Sequence, residues 1–316
     1  MGMSNDSYSG GASPAPHPIE LAGVSRHFGR KRVLEHVTLR VPAGCTMALL
    51  GRNGSGKTTL MRILVGLLPR HGGRVAVAGI DPAKRPHAVK QRVGYVADAT
   101  ELHPRWRVAH VLEMVRALRK PSWDVAEERR LLDLFGLRPR ERVGRLSRGD
   151  RAKLALLLAL APRPEILLLD EPASGLDPVV RREVLGSLVE AIHDEGRTVL
   201  LSSHLMEDVE RLADRVAFLA GGRIVLEGES AIVRGRARRV VVDPIGPDLG
   251  ALPGQPLLRR RGKTAVLTYV EGGEDAAATL RASGRFDRVE AERMNLEDLF
   301  VDMLGEETRE VAPCCA

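Results

Sequence analysis

The sequence predicts an α/β fold, and three observations carry that expectation. Apolar runs of strand length at 46–50, 165–169 and 198–203 are separated by longer stretches whose apolar residues recur at helical spacing. The run at 165–169 is continuously apolar after Glu165, as a strand covered on both faces at the centre of a parallel sheet would be. A glycine-rich turn joins the first of these strands to a helical pattern of Leu60, Ile63, Leu64, Leu67 and Leu68. With 316 residues and 44% hydrophobic content, the chain can bury the core of a large domain and a smaller one.

Residues 1–18 are rich in Ser, Gly, Pro and Ala, with no basic and apolar leader pattern, and read as a disordered tail. Strands are expected at 20–24 and 33–41, linked by 25–32. Phe28 in that link either stacks on a nucleobase or packs as an ordinary core residue, and spacing leaves both open.

The turn after the strand at 46–50 reads Gly51, Arg52, Asn53, Gly54, Ser55, Gly56, Lys57, Thr58, Thr59. Three glycines let the backbone wrap a phosphate, so that successive N–H groups and the positive end of the following helix point at the anion. Lys57 supplies a full charge for the β- and γ-phosphates, and the Thr58 hydroxyl is placed to ligate the Mg²⁺ that accompanies them. The stretch is a complete P-loop.

Strands are expected at 74–78 and 92–96, followed by a helical insertion over about 101–145 that breaks at Pro121 and Gly136. Ser147 reads as the N-cap of a helix running to Ala161, with Asp150 three residues on as in a capping box. The strand at 165–169 ends in Asp170 and Glu171. Two adjacent carboxylates at the edge of a buried strand are costly unless a cation sits there. A Mg²⁺ ion answers that need, with Asp170 holding it through water and Glu171 orienting or deprotonating an attacking water.

Asp177 and Pro178 open the next helix, and the strand at 198–203 delivers His204 to its tip. A lone histidine is ordinarily structural, but strand tips of an open α/β sheet are where ligands bind. A hairpin through Gly221 and Gly222 closes the large domain, taken as 19–228. Residues 230–306 read as a small C-terminal α+β accessory domain with its last helix N-capped by Asn295, and 307–316 as a flexible tail.

No apolar run is long enough to span a bilayer: the longest, 154–161, is cut by Pro162. Three cysteines, Cys45, Cys314 and Cys315, are too few and too badly spaced for a disulfide framework. The net charge of +7 suits an anionic partner, but arginine is spread along the chain and no nucleic-acid partner is expected from it.

The ordered set of the P-loop, 146–150, 166–171, 174–177 and His204 resembles the ATP-binding subunit of an ABC transporter over about 19–228. The stretches 151–155 and 294–300 resemble the subgroup that works with separately encoded ABC-2-type permeases. The resemblance implies a P-loop ATPase of ABC type, on the cytoplasmic face of the membrane, taking ATP and Mg²⁺. It implies a second cassette, identical or not, closing head to tail so that Ser147 and Gly149 of one meet the P-loop of the other. His204 would then contact the γ-phosphate and Asp177 would communicate across the dimer.

Two motifs depart from the family pattern, at three positions. Asp98 stands where a Mg²⁺-sensing glutamine is usual, adding a carboxylate to the metal's surroundings. The signature carries Arg148 in place of glycine and Asp150 in place of glutamine, and Asp150 is expected to add repulsion near the γ-phosphate. A soluble ABC-type ATPase and a nucleotide-gated regulator that barely hydrolyses ATP are the competing readings.

Overall fold

The computed structural model describes residues 17–98, 102–192, 196–204, 206–245, 249, 251–254, 256–261 and 264–304. In chain order, an antiparallel pair, β1 (Ile19–Phe28) and β2 (Lys31–Val41), comes first. β3 (Thr46–Leu50) runs through the glycine-rich turn into α1 (Lys57–Leu64), followed by β4 (Gly72–Val77), α2 (Pro86–Arg92) and β5 (Val93–Val96). The insertion holds α3 (Val108–Leu118), α4 (Val125–Phe135) and one tight turn at Val143–Arg145. Next come α5 (Arg148–Leu160), β6 (Ile166–Asp170), α6 (Pro178–Ile192), β7 (Thr198–Ser203), α7 (Met206–Leu212), β8 (Arg215–Ala220) and β9 (Arg223–Glu229). The last part contains α8 (Ser230–Arg236), β10 (Arg238–Pro244), β11 (Leu257–Arg261), β12 (Thr264–Tyr269), α9 (Gly273–Ala282), β13 (Phe286–Arg293) and α10 (Leu296–Leu304).

The central sheet has the order β5-β6-β7-β3-β8-β9, parallel except for the antiparallel edge strand β9. Its strands alternate sides. Leu167, Leu169, Val199 and Leu201 face α5, α6 and the helical insertion, while Leu168, Leu200, Met47 and Leu49 face α1 and the antiparallel sheet β2-β1-β4. Burial on both faces explains why these strands read as continuous apolar runs. The tips of β3, β6 and β7 lie side by side, which brings the P-loop, Asp170-Glu171 and His204 to one edge. Among the described residues no helix is long and apolar enough to cross a membrane.

Several elements escaped the sequence reading, among them the short helices α7 and α8. Residues 25–32, read as a link, are strand and hairpin, with register shifts that break the alternation of β1. In α2 only Val89 is buried, so no apolar stripe announces the helix, although proline at its start is the usual signal. The side chains of β13 are mostly charged and exposed, as at a sheet edge, and β11 pairs with β12 on the far side of the same four-stranded antiparallel sheet, β11-β12-β10-β13.

That sheet and α9 enclose a core of Val240, Val242, Leu267, Ala277 and Leu280. The last helix returns to the large domain instead. Leu296, Leu299 and Met303 of α10 bury with Ala48, Leu50, Val216 and Phe218 of β3 and β8, so α10 covers the outer end of the central sheet. Asn295 caps this helix, its Oδ1 accepting from the Asp298 N–H at 2.7 Å. Leu299, fully buried, is therefore expected to be a stability residue of the large domain: Leu299→Ala should cost about 2–5 kcal/mol and lower Tm. Val301→Ala, on the exposed side of the same helix, should leave Tm near the parent value. Equal Tm values for the two variants would contradict this packing.

Candidate functional site

The P-loop geometry forces its glycines. A Cβ on Gly51 would lie 2.5 Å from Ser55 Oγ and 2.6 Å from the Leu219 carbonyl oxygen. Gly56 has φ +110°, and a Cβ there would approach Leu34 Cδ2 to 2.8 Å. No side chain caps α1 at Gly56, so the first-turn N–H groups of that helix remain available to an anion.

Lys57 is buried under this loop. Its Nζ donates to the carbonyl oxygens of Gly51 at 2.7 Å and Arg52 at 3.3 Å, and lies 3.2 Å from Glu171 Oε1. The other carboxylate oxygen, Oε2, is 2.5 Å from His204 Nδ1. Lysine from the start of α1 and glutamate and histidine from the ends of β6 and β7 thus form one chain of contacts. Glu171 holds a left-handed backbone at φ +51°, a conformation unfavourable for a residue other than glycine and one that clusters at functional sites.

Asp170 is fully buried. Its Oδ1 accepts from Ser202 Oγ at 2.7 Å, and Oδ2 has no hydrogen-bond partner. Burial holds its carboxyl above the usual aspartate range; the Ser202 and Thr58 hydroxyls oppose this, and the charges of Asp98 and Glu171 add to it. Ser202 Oγ also receives the Glu171 backbone N–H at 3.0 Å. The sequence reading missed Ser202, whose only signal is a serine pair closing an otherwise apolar strand.

A cleft of about 410 Å³ brings together Asn53, Gly54, Gly56, Lys57, Thr58, Thr59, Asp98, Glu171 and His204, with Val33 and Ser174 completing its wall. That volume is in the range of small-molecule sites. Gly51 and Asp170 lie behind the lining, one gripping Lys57 and the other between Ser202 and Thr58. Ser55 forms the turn, its N–H bonded to the Arg52 carbonyl.

The remaining sequence candidates stand elsewhere. Phe28 is 47% exposed at the end of β1 with the Arg26 guanidinium 4.6 Å from its ring centroid, which rules out core packing. Asp177 caps α6 through the N–H groups of Val179 and Val180. Ser147 caps α5, accepting from the Asp150 N–H at 3.0 Å, and its hydroxyl donates to Asp150 Oδ2 at 2.7 Å. The Asp150 carboxylate is thus engaged within the first turn of its own helix, but it meets the Ser147 hydroxyl and not the Ser147 backbone N–H of a full capping box. Gly149 packs against α6, where a Cβ would meet Val180 Cγ1 at 2.4 Å. A second cleft of about 380 Å³, on the other side of Glu171, takes in Asp98, Arg148, Arg151 and Gly175.

Among the described residues no group of three or more His, Cys, Asp or Glu side chains could by itself hold a metal. The donor set in the cleft does fit Mg²⁺ arriving with a phosphate. The unpartnered Oδ2 of Asp170 and the Thr58 hydroxyl are hard oxygen donors, and a hexacoordinate Mg²⁺ completes its shell with phosphate and water oxygens. Cys45 is half-buried and burial pushes its thiol up to about 11, which leaves it unreactive as a thiolate. Cys314 and Cys315 lie outside the described residues.

The buried charge of Asp170 has a consequence for stability. Its folded carboxyl binds a proton more tightly than the unfolded one, so without ligand this residue's contribution falls as pH rises from the ordinary aspartate value through the raised one. Asp170→Asn is expected to raise the Tm of the ligand-free protein at neutral pH, and to shrink that gain as pH is lowered through the window. The same variant should bind Mg²⁺·ATP more weakly. A lower ligand-free Tm for the variant at neutral pH would contradict the burial penalty.

The family model described as ABC transporter matches residues 34–174. The chain is 32% identical over 311 residues to the Nod factor export ATP-binding protein I of Burkholderia lata, covering 93% of this chain and 99% of the relative. It is 31% identical over 307 residues to the daunorubicin resistance ATP-binding protein DrrA3 of Streptomyces coeruleorubidus, covering 92% and 97%. A solved ATP-binding subunit of an ABC transporter superposes with TM-score 0.61 at 27% identity, over 69% of this chain and 92% of the other. A dimeric bacterial ABC transporter cassette shares the fold, with TM-score 0.60 at 22% identity over 67% and 98%.

Proposed function

The chain belongs to the ABC transporter family as an ATP-binding subunit, and from that premise we propose that it hydrolyses Mg²⁺·ATP between two copies of itself to drive a separately encoded ABC-2-type permease in export. The observation that carries the catalytic part is the contact chain from Lys57 through Glu171 to His204 inside one cleft.

Glu171 is paired with Lys57 at 3.2 Å and in contact with His204. A triphosphate entering under the free N–H groups of α1 competes for the Lys57 charge. Glu171 is then released to take a proton from the attacking water, and His204 turns toward the γ-phosphate. Asp170, Thr58 and, in this chain, Asp98 would hold a Mg²⁺ ion arriving with the nucleotide, and that ion would supply positive charge to the phosphate oxygens.

Ser147 and Gly149 do not line the chain's own cleft, and Ser147 opens α5 at an exposed end. That placement supports a site completed by a second cassette, each signature helix aiming its N-terminus at the partner's nucleotide. One chain carries every element both halves need, so a second copy suffices. The export direction is supported by the near full-length relative named for Nod factor export, and the ABC-2-type partner by the resemblance of 151–155 and 294–300 to that subgroup. Attachment to the inner face of the membrane follows from that partner.

Co-expression with a candidate polytopic permease tests the coupling. The complex should co-purify in detergent, and its ATP turnover in liposomes should exceed that of the isolated chain several-fold. Turnover indifferent to the permease, or association with ribosomes or DNA in its place, would favour the soluble-ATPase reading.

A further inference from the structure

The helical insertion carries a surface that the nucleotide chemistry does not use. The segment leading into α3 and the segment between α4 and α5 are zipped together by the backbone. The N–H of Val108 donates to Glu141, that of Ala109 to Pro139, that of Val143 to Trp106 and that of Gly144 to Pro104, with an antiparallel bridge between Arg107 and Arg142. The joint is tight: a Cβ on Gly144 would meet the Pro104 carbonyl oxygen at 2.9 Å.

This knob carries Arg105 and Arg107 on one segment and Arg138, Arg140, Arg142 and Arg145 on the other, all exposed. None of them makes an ion pair with a described residue, and Glu141 is the one carboxylate among the described residues of the two segments. Arg116 and Arg130, elsewhere in the insertion, behave differently. Arg116 is bonded to Glu128 at 2.7 Å and Arg130 to Glu127 at 2.7 Å, so the fold neutralises its cations where they serve packing. Amid the unneutralised set stands Trp106, 37% exposed, its ring 5.8 Å from that of His103.

We propose that this knob is an anionic-lipid contact: the arginines of 105–107 and 138–145 engage phospholipid headgroups while Trp106 enters the headgroup layer. Several cations held on a rigid, exposed surface suit a plane of many phosphates, where each arginine near the surface adds to the attraction. Tryptophan is the side chain that prefers the membrane–water boundary, with an apolar ring and one polar N–H. The inference does not depend on ATP hydrolysis or on the permease, and it gives the chain a direct hold on the bilayer beyond the one its transmembrane partner provides.

The full-length chain, without permease, is sedimented with vesicles of phosphatidylcholine alone or with about one third phosphatidylglycerol. Association is expected only with the anionic vesicles, falling steeply with added salt as the Debye length shortens. Combined Arg105→Glu, Arg138→Glu and Arg142→Glu should reduce partitioning by at least tenfold, with the ATP turnover of the soluble chain unchanged. Tryptophan emission should shift to the blue on anionic vesicles and lose that shift in Trp106→Phe, since the second tryptophan, Trp123, is anchored inside the insertion by its bond to Glu128. Failure to partition onto anionic vesicles, or equal partitioning by the triple variant, overturns the proposal. So does tighter binding to duplex DNA that the same triple variant abolishes, which would make the knob a nucleic-acid surface.

Discussion

Glu171→Gln is expected to lower ATP turnover by roughly 10²–10⁴-fold, the usual contribution of a positioned general base, while ATP binding survives. The substitution keeps the shape of the side chain and one acceptor oxygen but removes the charge that can take a proton. Lys57 and His204 are both in contact with this carboxylate, and the backbone N–H of residue 171 is fixed by Ser202, so glutamine should occupy the same place. The neutral amide also relieves repulsion between this side chain, Asp98 and Asp170 when a triphosphate enters, so nucleotide affinity should hold or rise. Steady-state phosphate release measures the first effect and equilibrium nucleotide binding the second. Turnover within a few-fold of the parent would remove Glu171 from the role of base.

Lys57→Ala is expected to fail earlier, at binding. Its ammonium is 5% exposed and makes two carbonyl bonds and a carboxylate contact, so truncation empties the floor of the cleft. Removing one partner of a buried, hydrogen-bonded charge pair typically costs 2–5 kcal/mol, which corresponds to about a 30- to 5,000-fold loss of ATP affinity. Titration calorimetry with Mg²⁺·ATP reads this directly. Lys57→Arg should recover little, because the forked guanidinium does not fit where a single Nζ sits 2.7 Å from the Gly51 carbonyl. Parent-like affinity in Lys57→Ala would contradict the placement of the phosphates over this residue.

The parts of the fold that the sequence announced are those where one physical demand dominates. β6 and β7 are buried on both faces and cannot be polar, so their runs stand out, and the P-loop must place glycines where a Cβ has no room. α3 and α4 show an apolar stripe because each buries one face, although Leu118 at the end of that stripe is 71% exposed. α2 and β13 were silent because they are short or at an edge and bury almost nothing. The return of α10 to β3 and β8 was equally hidden. Helical periodicity reports that a face is covered and never which part of the chain covers it.

The candidate site divides in the same way. Lys57, Glu171 and His204 could be named from motif and strand-end position, but their chain of contacts depends on the order of β3, β6 and β7 in the sheet. Asp150 shows the opposite limit. The family pattern implies a charge near the γ-phosphate held by a second cassette, and within its own chain the Asp150 carboxylate accepts from the hydroxyl of Ser147, the cap of α5.

The central claim is that the nucleotide cleft of one chain is finished by Ser147 and Gly149 of another. Light scattering on Glu171→Gln with saturating Mg²⁺·ATP tests it most directly. The account predicts twice the mass of a single chain, reverting when nucleotide is removed and absent in a Glu171→Gln, Ser147→Arg double variant; a single-chain mass under saturating ATP would contradict it.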